Sequence, residues 1–257
     1  MSTWVLLRGL TRDSRHWGGF PATLRGTLAA AEIVTLDLPG NGLLNQMESP
    51  ARVEQMADYC HAEMRARGLP PPYFLLAMSL GAMVATAWAG RHAADIAGCV
   101  LINTSMRPFS PFYHRLRPAN YPLLIKRAVL GGSPATWEAT ILGLTSNGCG
   151  NPETTLEAWC ELRRDCPVTR RNALRQLWAA SRYRVDGKPA APMLILASTQ
   201  DRLVNPRCSR RLALRWKTDF AEHTVAGHDI PLDDAAWVAE QVRDWIARLS
   251  PVRLEVC

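Results

Sequence analysis

Tyr73-Phe74-Leu75-Leu76-Ala77-Met78-Ser79-Leu80-Gly81 runs straight into Ala82-Met83-Val84-Ala85-Thr86-Ala87-Trp88-Ala89, and this stretch decides the fold. The apolar run Tyr73–Met78 reads as a buried strand, and the small-residue run after Gly81 reads as a helix. Passing from one to the other with no spacer requires a very tight turn. Such a turn holds its central residue, Ser79, in a strained conformation with the side chain thrust outward. Ala77 and Gly81, two residues before and two after, are small enough for strand and helix to approach closely. Ser79 then stands at a helix N-terminus, where free N–H groups face any negative charge that develops. A serine in an ordinary strand-to-helix turn would carry no such role, so the rest of the chain has to decide between the two.

Working outward, apolar runs near Trp4–Leu7, Ile33–Leu38, Cys99–Asn103, Met193–Ala197 and Phe220–Val225 read as further strands. Helical patterns lie between them, including Ala51–Arg67, Ala82–His92, Cys208–Arg215 and Ala235–Leu249. Strands alternating with helices predict an α/β fold with a parallel sheet covered on both faces. Three polar residues fall just beyond strand ends: Ser79, Asp201 in Ser198-Thr199-Gln200-Asp201, and His228 in Ala226-Gly227-His228-Asp229. Open parallel sheets build their sites at those ends. A serine hydroxyl needs a base to take its proton, and the base needs a third group to orient it. His61 and His92 fall in charge-rich helical stretches and read as solvated faces, and His223 falls inside the last strand.

The pentapeptide around Ser79, with strand before and helix after, resembles the nucleophile elbow of the α/β-hydrolase family, with Ala77 where glycine is commoner. The resemblance implies a catalytic triad in the order Ser79, Asp201, His228. It also implies an oxyanion hole made by the backbone N–H groups of Leu80 and Leu10. The family usually shows His-Gly in the loop after the first strand, whereas this chain has Arg8-Gly9. A backbone hole survives that change, and Arg8 reads more readily as a structural replacement bonding loop carbonyls than as a substrate contact. Nothing before Trp4 forms the family's initial antiparallel hairpin, so the expectation is about six parallel strands, with residues 1–105 and 185–257 as the α/β-hydrolase core. Residues 106–184 break the strand–helix rhythm with amphipathic patterns such as Pro134–Leu144 and Pro152–Arg164. In the family this is the place of a helical cap over the site, the alternative being extra core helices with no gating role.

Between Met106 and Arg184 stand 12 Arg plus Lys against 5 Asp plus Glu, an excess equal to the net charge of +7 for all 257 residues. A basic cap favours an anionic small-molecule or carrier-linked ester, the alternative being a solvated basic face. No nucleic-acid-binding pattern accompanies the charge. Arg8, His16, His114 and Arg115 are the candidate polar contacts to substrate. The expected activity is a cofactor-independent, metal-free serine hydrolase cleaving a small carboxylic ester through an acyl-enzyme. The same triad also serves lactone opening, thioester hydrolysis, acyl transfer and C–C bond hydrolysis, and the scaffold also serves ligand reception without turnover. The seven cysteines have spacings that suit neither zinc nor a disulfide framework. With no export signal or membrane-spanning run in the sequence, free thiols and a cytoplasmic location are expected. A disulfide among Cys149, Cys160 and Cys166 is the less favoured alternative.

Overall fold

A computed structural model describes residues 2–249 apart from Ala29 and Cys149. Six strands form one sheet: β1 (Ser2–Leu7), β2 (Ala31–Leu36), β3 (Tyr73–Met78), β4 (Ile96–Ile102), β5 (Met193–Ser198) and β6 (Asp219–His223). Their order is β2-β1-β3-β4-β5-β6, and every pairing is parallel. The chain leaves β1 toward one edge to make β2, then returns to the other side of β1 to make β3. The crevice between the carboxyl ends of β1 and β3 is therefore the switch point of the sheet, where such folds place ligands.

Alternation along the strands divides the core in two. Val5 and Leu7, Leu75 and Ala77, Cys99 and Leu101, and Met193 and Ile195 face one way. There they pack on α2 (Val53–Ala66), α3 (Leu80–Arg91) and α9 (Arg207–Trp216). Trp4 and Leu6, Leu76 and Met78, Val100 and Ile102, and Leu194 and Leu196 face the other way. They meet α1 (Phe20–Thr27) and α11 (Ala235–Leu249), with Trp4 stacked on Phe74 at 4.7 Å between ring centroids. Both faces being covered explains why the central strands read as continuous apolar runs. The expected strand positions hold to within three residues at each end, the largest difference being β4, which begins at Ile96 rather than Cys99. β2 ends at Leu36 rather than Leu38, and β6 ends at His223 rather than Val225.

Between β4 and β5 lie α4 (Phe112–Arg115), α5 (Tyr121–Leu130), α6 (Pro134–Thr145), α7 (Pro152–Asp165) and α8 (Arg170–Arg182); α10 (Ile230–Asp233) follows β6. Capping marks several of these starts: Ser133, Asn151 and Thr169 each accept a backbone N–H of the following turn. The inserted helices lie against the loops at the carboxyl edge of the sheet. From α8, Gln176 accepts the Thr11 N–H and donates to Asn41, while Asn172 accepts the Ser49 N–H and donates to Met47 O. The C-terminus of α6 touches the loop after β6, where Asp229 N–H donates to Thr145 O at 2.7 Å.

Cys60, Cys99, Cys160, Cys166 and Cys208 are free, so Cys160 and Cys166 do not pair with each other. Cys149 and Cys257 lie outside the described residues. His61 and His92 are half-buried rather than fully solvated. They stack 3.8 Å apart, with Asp95 and Asp58 as their respective partners. No helix of the described residues is long and apolar enough to cross a membrane.

Candidate active site

Ser79 is the residue between β3 and α3, with φ 54° and ψ −118°. A non-glycine residue pays on the order of 1–3 kcal/mol to stay in such a conformation. The geometry around it leaves no other choice. Ser79 N–H donates to Ile102 O on the neighbouring strand at 3.0 Å. Helix α3 begins at once, so that Gly81 lies against the end of β1. A methyl group on Gly81 would meet the carbonyl oxygens of Leu7 and Arg8, the latter at 2.5 Å. Only glycine permits that approach.

The loop after β1 reaches the same point from the other side. A methyl group on Gly9 would come 3.2 Å from Ser79 Cβ and 3.7 Å from Ser79 Oγ. The backbone of the Arg8-Gly9-Leu10 turn thus passes beside the serine hydroxyl. Arg12 N–H closes the turn onto Gly9 O at 3.2 Å. Leu80 is the first residue of α3, where N–H groups have no partner inside the helix.

His228 and Asp201 meet across the ends of β5 and β6. His228 Nδ1–H donates to Asp201 Oδ2 at 2.7 Å, and the two residues are 3% and 1% exposed. The other carboxylate oxygen of Asp201 accepts the N–H groups of Leu203 at 2.8 Å and Val204 at 2.9 Å, which fixes its plane. Burial alone would depress the pKa of His228. The charge of Asp201 and its hydrogen bond, with Asp229 adding to them, outweigh burial and raise it above the ordinary histidine value. Because Nδ1 is engaged with Asp201, Nε2 is the nitrogen left to exchange a proton.

The loop that carries His228 is braced from five directions. Asn103, itself at φ 45°, donates to His228 O at 2.7 Å and accepts the Ser198 N–H at 2.9 Å. Asp233 accepts the Gly227 N–H at 2.6 Å, and Ser198 Oγ–H donates to Ala226 O. Thr145 O takes the Asp229 N–H, and Gly227 packs so tightly there that a methyl group would lie 2.5 Å from Thr145 O. The fifth brace is Arg8, whose two Nη atoms bond both oxygens of Asp229 at 3.1 and 2.5 Å. Its guanidinium also lies 4.7 Å over the Trp17 ring. From sequence, Arg8 is expected to bond loop carbonyls, with substrate as the alternative. It bonds a buried carboxylate instead.

Of the other three candidate contacts, His16 and Arg115 have side chains that are also engaged by the protein, whereas His114 is held through its backbone. His16 is buried. Its Nε2 accepts from Arg12 at 3.0 Å and its Nδ1–H donates to Asp13 at 3.1 Å. Burial and the Arg12 charge hold it neutral, with a pKa of about 4. Arg12 pairs with Glu138 of α6 at 2.6 Å and lies 4.1 Å over the Trp159 ring. Arg163 of α7 takes the other Glu138 oxygen at 2.8 Å. The cavity lined by His16, Arg12 and Glu138 measures about 10 Å³, room for about one water molecule. Arg115 donates to the carbonyls of Ala180 and Ser181 at the end of α8, and His114 carries the carbonyl that accepts the Asn205 N–H. A larger groove of about 390 Å³ lies between α6, α7 and Arg202, lined by Leu142, Asn147 and Leu156 among others. Among the described residues no group of three or more His, Cys, Asp or Glu side chains is placed to hold a metal ion.

Asn103, Asp229, Asp233 and Glu138 were not singled out from sequence. For Asp229 a signal existed: an acid directly after His228, and a base at position 8 where the resemblance expects histidine.

The profile of the alpha/beta hydrolase family matches residues 4–241. The chain belongs to that family. Among curated proteins it is similar to the biotin biosynthesis bifunctional protein BioHC of Teredinibacter turnerae, at 27% identity over 97% of this chain. The chain spans 45% of that relative's length. Among solved structures, the enol-lactonase of Burkholderia xenovorans superposes with a TM-score of 0.77 at 19% identity, covering 96% of this chain and 92% of that one. A thermophilic esterase from Thermogutta terrifontis superposes with a TM-score of 0.75 at 19% identity, covering 96% and 90%. At these identities the structures establish the shared fold.

Proposed function

We propose that this alpha/beta hydrolase is a serine esterase that cleaves a small carboxylic ester through an acyl-enzyme. The reading is supported by three features at the carboxyl ends of the strands: a strained serine after β3, the Arg8-Gly9-Leu10 backbone beside its hydroxyl, and a buried His228–Asp201 pair after β5 and β6. His228 Nε2 takes the Ser79 proton as Oγ attacks the acyl carbon. Asp201 fixes the imidazole tautomer and stabilises its cation. The N–H groups of Leu10 and Leu80 hold the oxyanion. His228 then gives the proton to the leaving alkoxide, and in the second half it activates water that frees the acid. Residues 106–184 act as a cap, supported by the seating of α6 and α8 on the loops that carry His228, Thr11 and Asn41. The excess positive charge of that segment favours an anionic substrate, and the curated relative is named for biotin biosynthesis. Biotin carries a carboxylate, so esters of carboxylate-bearing chains come first for testing.

The test is turnover of a p-nitrophenyl acyl series of increasing chain length, with a lactone alongside. The parent protein should hydrolyse the short acyl esters. Ser79→Ala should fold and lose activity by on the order of 10⁴-fold or more. An equally active Ser79→Ala protein contradicts the assignment.

A further inference from the structure

We propose that the buried Arg8–Asp229 pair is a positioning element that locks the oxyanion turn to the histidine loop. The proposal rests on the serine-esterase reading above and adds two residues to it. Arg8 immediately precedes Gly9, whose backbone lies against Ser79, and Asp229 immediately follows His228. The two loops are 221 residues apart in sequence and leave from the ends of β1 and β6, which are not neighbours in the sheet. No sheet hydrogen bond joins the two loops' strands directly.

The pair is built to set the spacing of the two loops. Both oxygens of Asp229 meet both Nη atoms of Arg8, so separation and mutual orientation are fixed together. Both side chains are 3% exposed, and Trp17 covers the guanidinium. Burial would raise the Asp229 carboxyl, but Arg8 outweighs it and holds it below the usual carboxylate range. Lysine offers a point charge without the planar fork, so it would keep the charge and lose the geometry.

The pair also balances charge beside the base. The charged groups acting on His228 are Asp201, Asp229 and Arg8, with Arg12 acting in turn on Asp229. Asp229 raises the histidine pKa and Arg8 lowers it. Removing either one alone leaves an unbalanced neighbour of known sign.

The experiment compares the parent with Arg8→Lys, Arg8→Met and Asp229→Asn, using p-nitrophenyl acetate and a fluorophosphonate probe across pH. The parent should label at Ser79; absence of that label fails the esterase reading and not this inference. Each variant should lose on the order of 10²-fold in kcat, the cost of a misplaced reacting group, with KM changed less than about threefold. The rate of Ser79 labelling should fall with kcat. The acid limb of kcat/KM reports protonation of His228. It should move to higher pH in Arg8→Met, to lower pH in Asp229→Asn, and stay in place in Arg8→Lys. A purely structural pair would make activity follow melting temperature and move the limbs together or not at all. That result, or full kcat in a folded Arg8→Lys protein, overturns the proposal.

Discussion

The central strands bury side chains on both faces, whereas the inserted helices leave Leu174, Leu177 and Trp178 of α8 and Phe112 of α4 exposed. The sheet core is two large apolar clusters. The insertion has a small apolar cluster of its own around Leu142 and Trp159. It is tied to what lies beneath it by buried polar groups, Gln176, Asn172 and the Arg12–Glu138–Arg163 chain, together with Met106, Ala179 and Tyr183, which join the core on one face of the sheet. Apolar burial is non-directional and tolerates adjustment, while a buried polar tie is costly once half of it is removed. The core should therefore depend on volume, and the insertion on the completeness of its hydrogen bonds.

The largest expected effect lies where the two regions meet. Asp201→Asn should fold and lower kcat about 10⁴-fold, the size expected when a triad histidine loses its orienting carboxylate. Near-normal turnover in that variant would separate the site from the Asp201 loop altogether. Next come three variants that set the regions against each other. Glu138→Gln leaves Arg12 without its counter-charge in a buried setting and should cost about 3–5 kcal/mol. Leu75→Ala in the core should cost about 2–5 kcal/mol, while Leu174→Ala on α8, where the leucine is 66% exposed, should stay within about 0.5 kcal/mol. Urea titrations of the three variants check this; a Leu174→Ala loss matching that of Leu75→Ala would show that α8 packs on something apolar.

The same contrast explains what was legible in the sequence. β3, β4 and β5 are buried on both faces, so their apolar runs stand out. The elbow was legible because strand, turn and helix are contiguous. Asp201 and His228 were legible because each falls in the loop just past a strand end. Asp229, Asn103 and Glu138 were not, since their partners lie 221, 125 and 126 residues away and no local spacing encodes the pairing. The internal roles of Arg8 and His16 were hidden for a related reason. Arg8 and His16 are polar residues near the site, but their hydrogen bonds are taken by neighbours visible only in three dimensions.

The smallest effect concerns the charge of the insertion. Arg164, Arg170, Arg182 and Arg184 are exposed on it. If they steer substrate, kcat/KM for a monomethyl dicarboxylate should exceed that for the matching neutral methyl ester at low salt. The advantage should shrink as the screening length falls from about 30 Å at 0.01 M to about 8 Å at physiological salt. Equal salt dependence for the two esters would leave the insertion a solvated basic surface.

Ser79 is the residue on which the esterase mechanism depends. The most direct measurement treats the protein with a fluorophosphonate and maps the adduct by peptide mass spectrometry. The geometry predicts stoichiometric labelling of Ser79, slowed strongly by Asp201→Asn and by blocking His228. Labelling at another serine with Ser79 unmodified, or no labelling of an esterase-active protein, would contradict it.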